Sequence, residues 1–127
     1  MKHKRLFLLL LAGLVLAASC VNLKKIIINS PDLSRIADGI YQGNSKVGPV
    51  RVTLDVTMQS GAITSIDLIR HFNGLGKKAE VIVPRIIEAQ SLDVDVVSGA
   101  TGSSKAILKA VENALSPELK EIFYQYY

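Results

Sequence analysis

The residues best able to do chemistry sit together in "VSGATGSSKAILKAVENAL", residues 97–115. Every residue from 98 to 104 is Gly, Ala, Ser or Thr, and Ser98, Thr101, Ser103 and Ser104 carry hydroxyls. An amphipathic pattern follows at once. A Ser or Thr ahead of an apolar helix ordinarily caps it, its oxygen accepting a first-turn N–H. Ser103 or Thr101 could do this. Capping uses one or two hydroxyls, however, and this stretch holds more, interleaved with Gly99 and Gly102. Glycine admits unusual backbone angles and lets a ligand approach closely. A helix N-terminus lined by small residues also suits phosphate, because its N–H groups and macrodipole favour negative charge. Two readings of these residues are open: plain capping, or a turn that binds or carries a phosphate.

Other chemistries find little support. There is no G-x-x-x-x-G-K-[ST] loop and no G-x-G-x-x-G following a strand. A nucleophilic serine needs a base and usually an orienting acid. His71 is the only histidine beyond the first few residues, and nothing marks it as the partner of Ser98 or Thr101. One histidine, a lone cysteine and scattered carboxylates do not make a metal site.

The elements that must position the turn can be read from periodicity. "PVRVTLDVTM" alternates cleanly, with Val50, Val52, Leu54, Val56 and Met58 on one face: a half-buried strand. "DGIYQGNSKVG" before it reads as a short strand ending in a turn. "QSGA" after it is a tight turn with Gly61 free to take positive φ. "ITSIDLIRH" is a third strand in weaker alternation, and the three form an antiparallel meander. The period then lengthens. "GKKAEVIVPRIIEAQS" places Ala79, Ile82, Ile86 and Ala89 at helical spacing, with Pro84 opening the second part of a broken helix. A short apolar strand or extended segment, residues 94–97, leads to a helix from about Ser103 to Leu115. That helix shows Ala106, Ile107, Ala110, Val111, Ala114 and Leu115 on one face, with Lys105, Lys109 and Glu112 on others. Ser116 and Pro117 stop it. The expected class is α+β: a small antiparallel meander with helices packed on one face.

The first 20 residues read differently. Lys2, Lys4 and Arg5 precede an apolar run and a small-residue exit at Ser19 and Cys20, the layout of an export signal. "LAASC" resembles a bacterial lipobox, with Ala17 where leucine is favoured. Lipidation at Cys20 and an uncleaved N-terminal anchor are both open. Either puts the domain outside the cytoplasmic membrane, tethered through its N-terminus. Residues 21–37 read as the tether, 38–116 as the domain and 117–127 as a tail. Three of the fifteen basic residues lie in the leader, leaving twelve against eleven acidic ones. The basic balance is therefore mostly a targeting signal, and nucleic acid is not an expected partner.

"DVVSGAT", residues 95–101, resembles the D-x-x-[ST]-G-A-T flavinylation motif of FMN-binding domains. That family includes the C subunit of Na+-translocating NADH:quinone reductase and the G subunit of the Rnf complex. The resemblance covers nearly the whole domain. "ADGIYQG" is similar to the family's opening D-G-x-Y-x-G, the two alternating strands to its hairpin, and residues 85–115 to its C-terminal half.

The resemblance implies FMN carried covalently on Thr101 through a phosphoester. It implies installation by a separate flavin transferase that uses FAD and Mg2+ and releases AMP. Ser98, Gly99, Ala100, Ser103 and Ser104 would line the phosphate, and Asp95 would shape or present the motif. Gly102, where relatives carry bulkier residues, implies a more flexible helix entry. In "HFNGLG", Gly74 and Gly76 would let the loop close on the isoalloxazine ring, and His71 or Asn73 would bond its polar atoms. Against that stands the plainer reading of His71 as a strand-end residue in an exposed turn. Lys77 and Lys78 are either a solvated face or a charge favouring anionic flavin, and Tyr41 is either core or a stacking partner. The implied activity is electron transfer with redox partner proteins or a quinone-linked reductase. The alternative is an envelope module that holds FMN or another phosphate ligand non-covalently.

Overall fold

The computed structural model describes residues 26–72 and 76–116. The leader with Cys20, the tail, and Asn73 and Gly74 lie outside the described residues. Three strands form one antiparallel sheet in the order β1 (Gly39–Val47), β2 (Val50–Gln59), β3 (Ala62–Phe72). The meander expected from the alternation is therefore present. Val47 pairs with Val50 across Gly48 and Pro49, and Gln59 pairs with Ala62 across Ser60 and Gly61. Ser60 and Gly61 both have positive φ, as a type I′ hairpin turn requires.

The five apolar residues of β2 are all buried. The irregular pattern of β3 has a local cause. The pairing slips between Thr57 and Met58 and again between Thr53 and Leu54, leaving Thr64 and Ile69 as extra residues on β3. Each bulge resets which side faces inward. Ile63 and Ile66 therefore both point to the core although three positions apart, while Ile69 is exposed.

A 3-10 helix (Gly76–Val81) runs directly into α1 (Ile82–Ala89), and α2 (Thr101–Leu115) follows the motif loop. Pro84 lies in the first turn of α1, where its missing N–H costs no helical bond. Ala79, Ile82 and Ile86 are buried as their spacing implied, but Ala89 is exposed at the helix end. The inner face of α2 packs on β1 and β2, and α1 lies against β3. Residues 94–97 belong to no strand or helix.

Gln90 locks α1 to the sheet. It ends the helix in the left-handed region at φ 50°, the position most often given to glycine. From there its Oε1 accepts the Ile63 N–H at 2.8 Å, and its Nε2 donates to the carbonyls of Ile63 (2.8 Å) and Ile87 (2.6 Å). The amide stands where another strand would pair. Gln90→Ala is expected to cost about 1–3 kcal/mol, read as a lower urea midpoint at unchanged slope.

Two sequence expectations are corrected here. Residues 26–37, read as a tether, run across the domain from Ile26 onward. Ile26, Ile28, Leu33 and Ile36 pack against its core, and a 3-10 helix (Leu33–Arg35) is capped by Asp32. The Ser34 hydroxyl, and then its N–H, hold the Asp32 carboxyl below its ordinary range. Glu112, which the periodicity put off the apolar face of α2, is 3% exposed beneath this segment. Finally, α2 begins at Thr101 rather than near Ser103. Tyr41 is core-packed, its hydroxyl donating to the Ala37 carbonyl at 2.8 Å.

Candidate functional site

The hydroxyl-rich stretch folds as a turn followed immediately by a helix. Ala100 N–H donates to the Val97 carbonyl at 2.9 Å, closing a turn whose third residue, Gly99, has φ 78°. A type II turn reserves that position for glycine. A Cβ built on Gly99 meets nothing within 4 Å, so the turn faces open space. Ser98 and Gly99 are exposed, and Ala100 is buried at the junction.

Ala100 occupies the N-cap position, and its carbonyl accepts the first helical bond, from Ser104 N–H at 2.9 Å. No side-chain hydrogen bond caps this end of α2. The capping reading therefore fails at its main point: with four hydroxyls nearby, none serves the helix N-terminus. Thr101 is the first helical residue and half-buried, with Gly102 beside it. The first-turn N–H groups and the positive end of the helix are left for an anion.

Ser103 and Ser104 lie further inside. Ser103 is 5% exposed and Ser104 fully buried. Ser104 Oγ accepts the Val97 N–H at 3.0 Å, so this hydroxyl holds the loop to the helix. Ser104→Ala would leave that N–H without its partner in a half-buried place. It is expected to cost about 1–3 kcal/mol, with faster amide exchange at Val97 as the local readout.

The start of the loop has its own anchor, which the sequence reading missed. Arg85 in α1 donates from Nη1 to the Asp95 carbonyl at 3.2 Å. The Asp95 side chain itself is exposed. No spacing rule links Arg85 to the motif; the only clue is a basic residue on the helix just before it.

His71 is not in an exposed turn. The second bulge of β3 turns its side chain inward, where it is 4% exposed, opposite Val52. Its Nδ1 lies 3.1 Å from Glu80 Oε1, tying the end of β3 to the 3-10 helix that Gly76 opens. Lys77 and Lys78 on that helix are exposed.

This end of α2 brings together an uncapped helix N-terminus, a glycine turn open to solvent and a hydroxyl at the first helical residue. Residues 46–116, over half the chain, match the FMN-binding domain family. The chain belongs to that family. FMN is its cofactor, and the motif turn at the head of α2 falls within the matched FMN-binding domain. Two relatives are each 34% identical to it. One is an uncharacterized protein of Treponema pallidum (strain Nichols), aligned over 85 residues, 65% of this chain and 24% of that protein. The other is an NADH:acrylate oxidoreductase of Vibrio harveyi, aligned over 74 residues, 58% of this chain and 7% of that protein. The chain thus spans a quarter or less of the length of these relatives.

Proposed function

We propose that this FMN-binding domain is an extracytoplasmic electron carrier, tethered to the membrane by its N-terminus and holding FMN as a phosphoester of Thr101. The observation that carries the reading is the head of α2. A threonine hydroxyl opens a helix whose N-terminus no side chain caps, behind a turn of small residues. In forming the ester, the Thr101 oxygen would lose its proton and gain a bond to the FMN phosphorus. The P–O bond to AMP in the pyrophosphate of FAD would break, and AMP would leave with that proton, helped by Mg2+ held by the transferase. The first-turn N–H groups then offset the phosphodiester charge. Gly99 keeps the approach open, and Ser104 and Arg85 hold the loop in register.

Bound FMN supplies reversible one- or two-electron chemistry, and the protein supplies attachment, orientation and electrostatics. The oxidoreductase name of the Vibrio harveyi relative supports a redox role. A membrane reductase linked to quinone, or another redox protein, is the class of partner that such a carrier needs. Membrane tethering rests on the leader, with Cys20 as lipidation site or the apolar run as uncleaved anchor. Among the described residues, no helix is long and apolar enough to cross a membrane.

The test is co-expression with a flavin transferase and export, followed by denaturation. Flavin absorbance that stays with the denatured chain supports the covalent reading. Flavin lost on denaturation would leave the reversible FMN or phosphate module as the account.

A further inference from the structure

The sheet has two faces, and α2 packs on the one that shows Val52, Leu54 and Val56. The residues of β2 between them point the other way. Of these, Arg51 is exposed, and Thr53, Asp55 and Thr57 are half-buried. The register fixes what lies beside them. Lys46 stands opposite Arg51, and Arg70 stands opposite Thr53 in the next row. One row further on, Asp55 has Asp67 on one side and Gln42 on the other. The outer face thus has a cationic end at the β1–β2 turn and an acidic band beyond it. Arg51 and Asp55 are four residues apart on one strand, about 13 Å.

Folding alone does not call for this layout. Like charges directly opposite each other destabilise an antiparallel pair. This face holds two such pairs, Lys46 with Arg51 and Asp55 with Asp67. Exchanging one member of each pair would remove both repulsions. Among the described residues, none of these four and not Arg70 enters an ion pair. Asp55 accepts from Gln42 Nε2 at 3.0 Å, and Asp67 accepts from Ser65 Oγ at 3.2 Å. Ile40, opposite Thr57 in the row beyond the acidic band, is 71% exposed.

We propose that the outer face of the sheet binds a second copy of this chain across a twofold axis, the cationic end of each copy lying over the acidic band of the other. The charge pattern selects this partner. A twofold interface is self-complementary: where one residue meets a second, the second meets the first. A face with opposite charges at its two ends meets that condition when the copies run in opposite directions. Each like-charged pair then finds its counter-charge across the interface. A partner of one charge sign would satisfy one end and be repelled by the other. Three strands about 4.8 Å apart make a narrow face, so the pair is of the small, salt-sensitive kind. The motif turn and Thr101 belong to the helix layer on the opposite side of the sheet, and pairing leaves them open. The dimer does not depend on flavin, and its test does not depend on loading.

The experiment uses the full chain in detergent, half of it isotope-labelled so that links between copies are recognised by mass. A water-soluble carbodiimide joins an amine to a carboxylate where the two touch. It should give a dimer whose linked peptides join Lys46 of one copy to Asp55 or Asp67 of the other. The yield should fall at least about threefold in about 1 M salt, where charges are screened within a few ångströms. Sedimentation then compares two charge-reversed variants, Arg51→Glu with Arg70→Glu, and Asp55→Lys with Asp67→Lys. Each alone should be monomeric, with a urea midpoint near that of the wild type. Mixed together they should dimerise again, because the reversed end of one meets the reversed band of the other and the native halves still match. A wild type that stays monomeric and unlinked at about 1 mM, where even a weak pair associates, would overturn the proposal. So would links through other residues, a dimer that survives both reversals and so forms through the leader or another surface, or folded variants whose mixture stays monomeric. Should a reversed variant fail to fold, the wild-type link map decides by itself.

Discussion

Gly43→Ala is expected to cost about 3 kcal/mol or more, enough to leave much of a small domain unfolded. Gly43 is buried in β1 where α2 crosses it. A Cβ added there would stand 1.9 Å from the Ala110 carbonyl oxygen and 2.8 Å from Ala114 Cβ. The first of these is helix backbone and cannot swing aside. The helix must lift away from the sheet, and lifting it strips contacts from Leu54, Ile107 and Val111, all fully buried. Two neighbouring hydrogen bonds, Ser45 Oγ to the Ala106 carbonyl and Asn113 Nδ2 to the Asn44 carbonyl, would stretch with it. Gly48→Ala is the matched control. It has φ 58° but nothing within 4 Å of an added Cβ. Only the backbone penalty of about 1–2 kcal/mol applies there. Urea midpoints at constant slope measure both. Equal costs at the two positions would mean that α2 does not sit on β1 as described. The glycine that closes the D-G-x-Y-x-G stretch is thus explained by helix packing.

Thr101→Ala is expected to abolish covalent flavin completely while barely changing the fold. Thr101 caps nothing, and it is only half-buried at the first helical position. Its replacement should therefore move stability by no more than about 0.5 kcal/mol. Thr101→Ser keeps a hydroxyl at the same place and should still load. Ser98→Ala should also load, since that hydroxyl lies on the exposed turn one step outside the helix. Flavin retained after denaturation and urea midpoints on the same preparations separate acceptor from scaffold. Flavin on the Thr101→Ala chain would move the attachment elsewhere; a collapsed midpoint would make Thr101 structural.

Much of this molecule could be read before any coordinates. The strict alternation of β2 identified its buried face residue by residue, and "SG" between two strands identified the turn. The apolar stripe of α2 was equally plain, because a period of 3.6 over four turns has few other meanings. What escaped has a common character. The bulges at Thr64 and Ile69 add one residue each to β3, which scrambles alternation without leaving a mark of its own, and they turn His71 inward. Residues 26–30 carry only a short apolar run, and their place was decided by partners more than 60 residues away, Ser91 and Glu112 among them. The burial of Glu112 was equally hidden, because carboxylates are rarely buried unless paired, and the pairing lies with Asn29 and Lys109.

The site divides the same way. The motif marked the turn and the threonine, while the parts that hold the loop, Arg85 and the buried hydroxyl of Ser104, are visible only in three dimensions. The start of α2 was misplaced by two residues for a related reason. Serine and threonine were weighed as caps, but an alanine holds the N-cap position. That exchange left the helix end open, and the phosphate reading depends on it.

The most direct test of the account is the intact mass of the exported full chain, co-expressed with a flavin transferase and denatured, followed by mapping of the modified peptide. The account predicts a gain of one FMN less one water, on the peptide that contains Thr101. An unmodified mass, from cells whose transferase flavinylates another substrate, would contradict it.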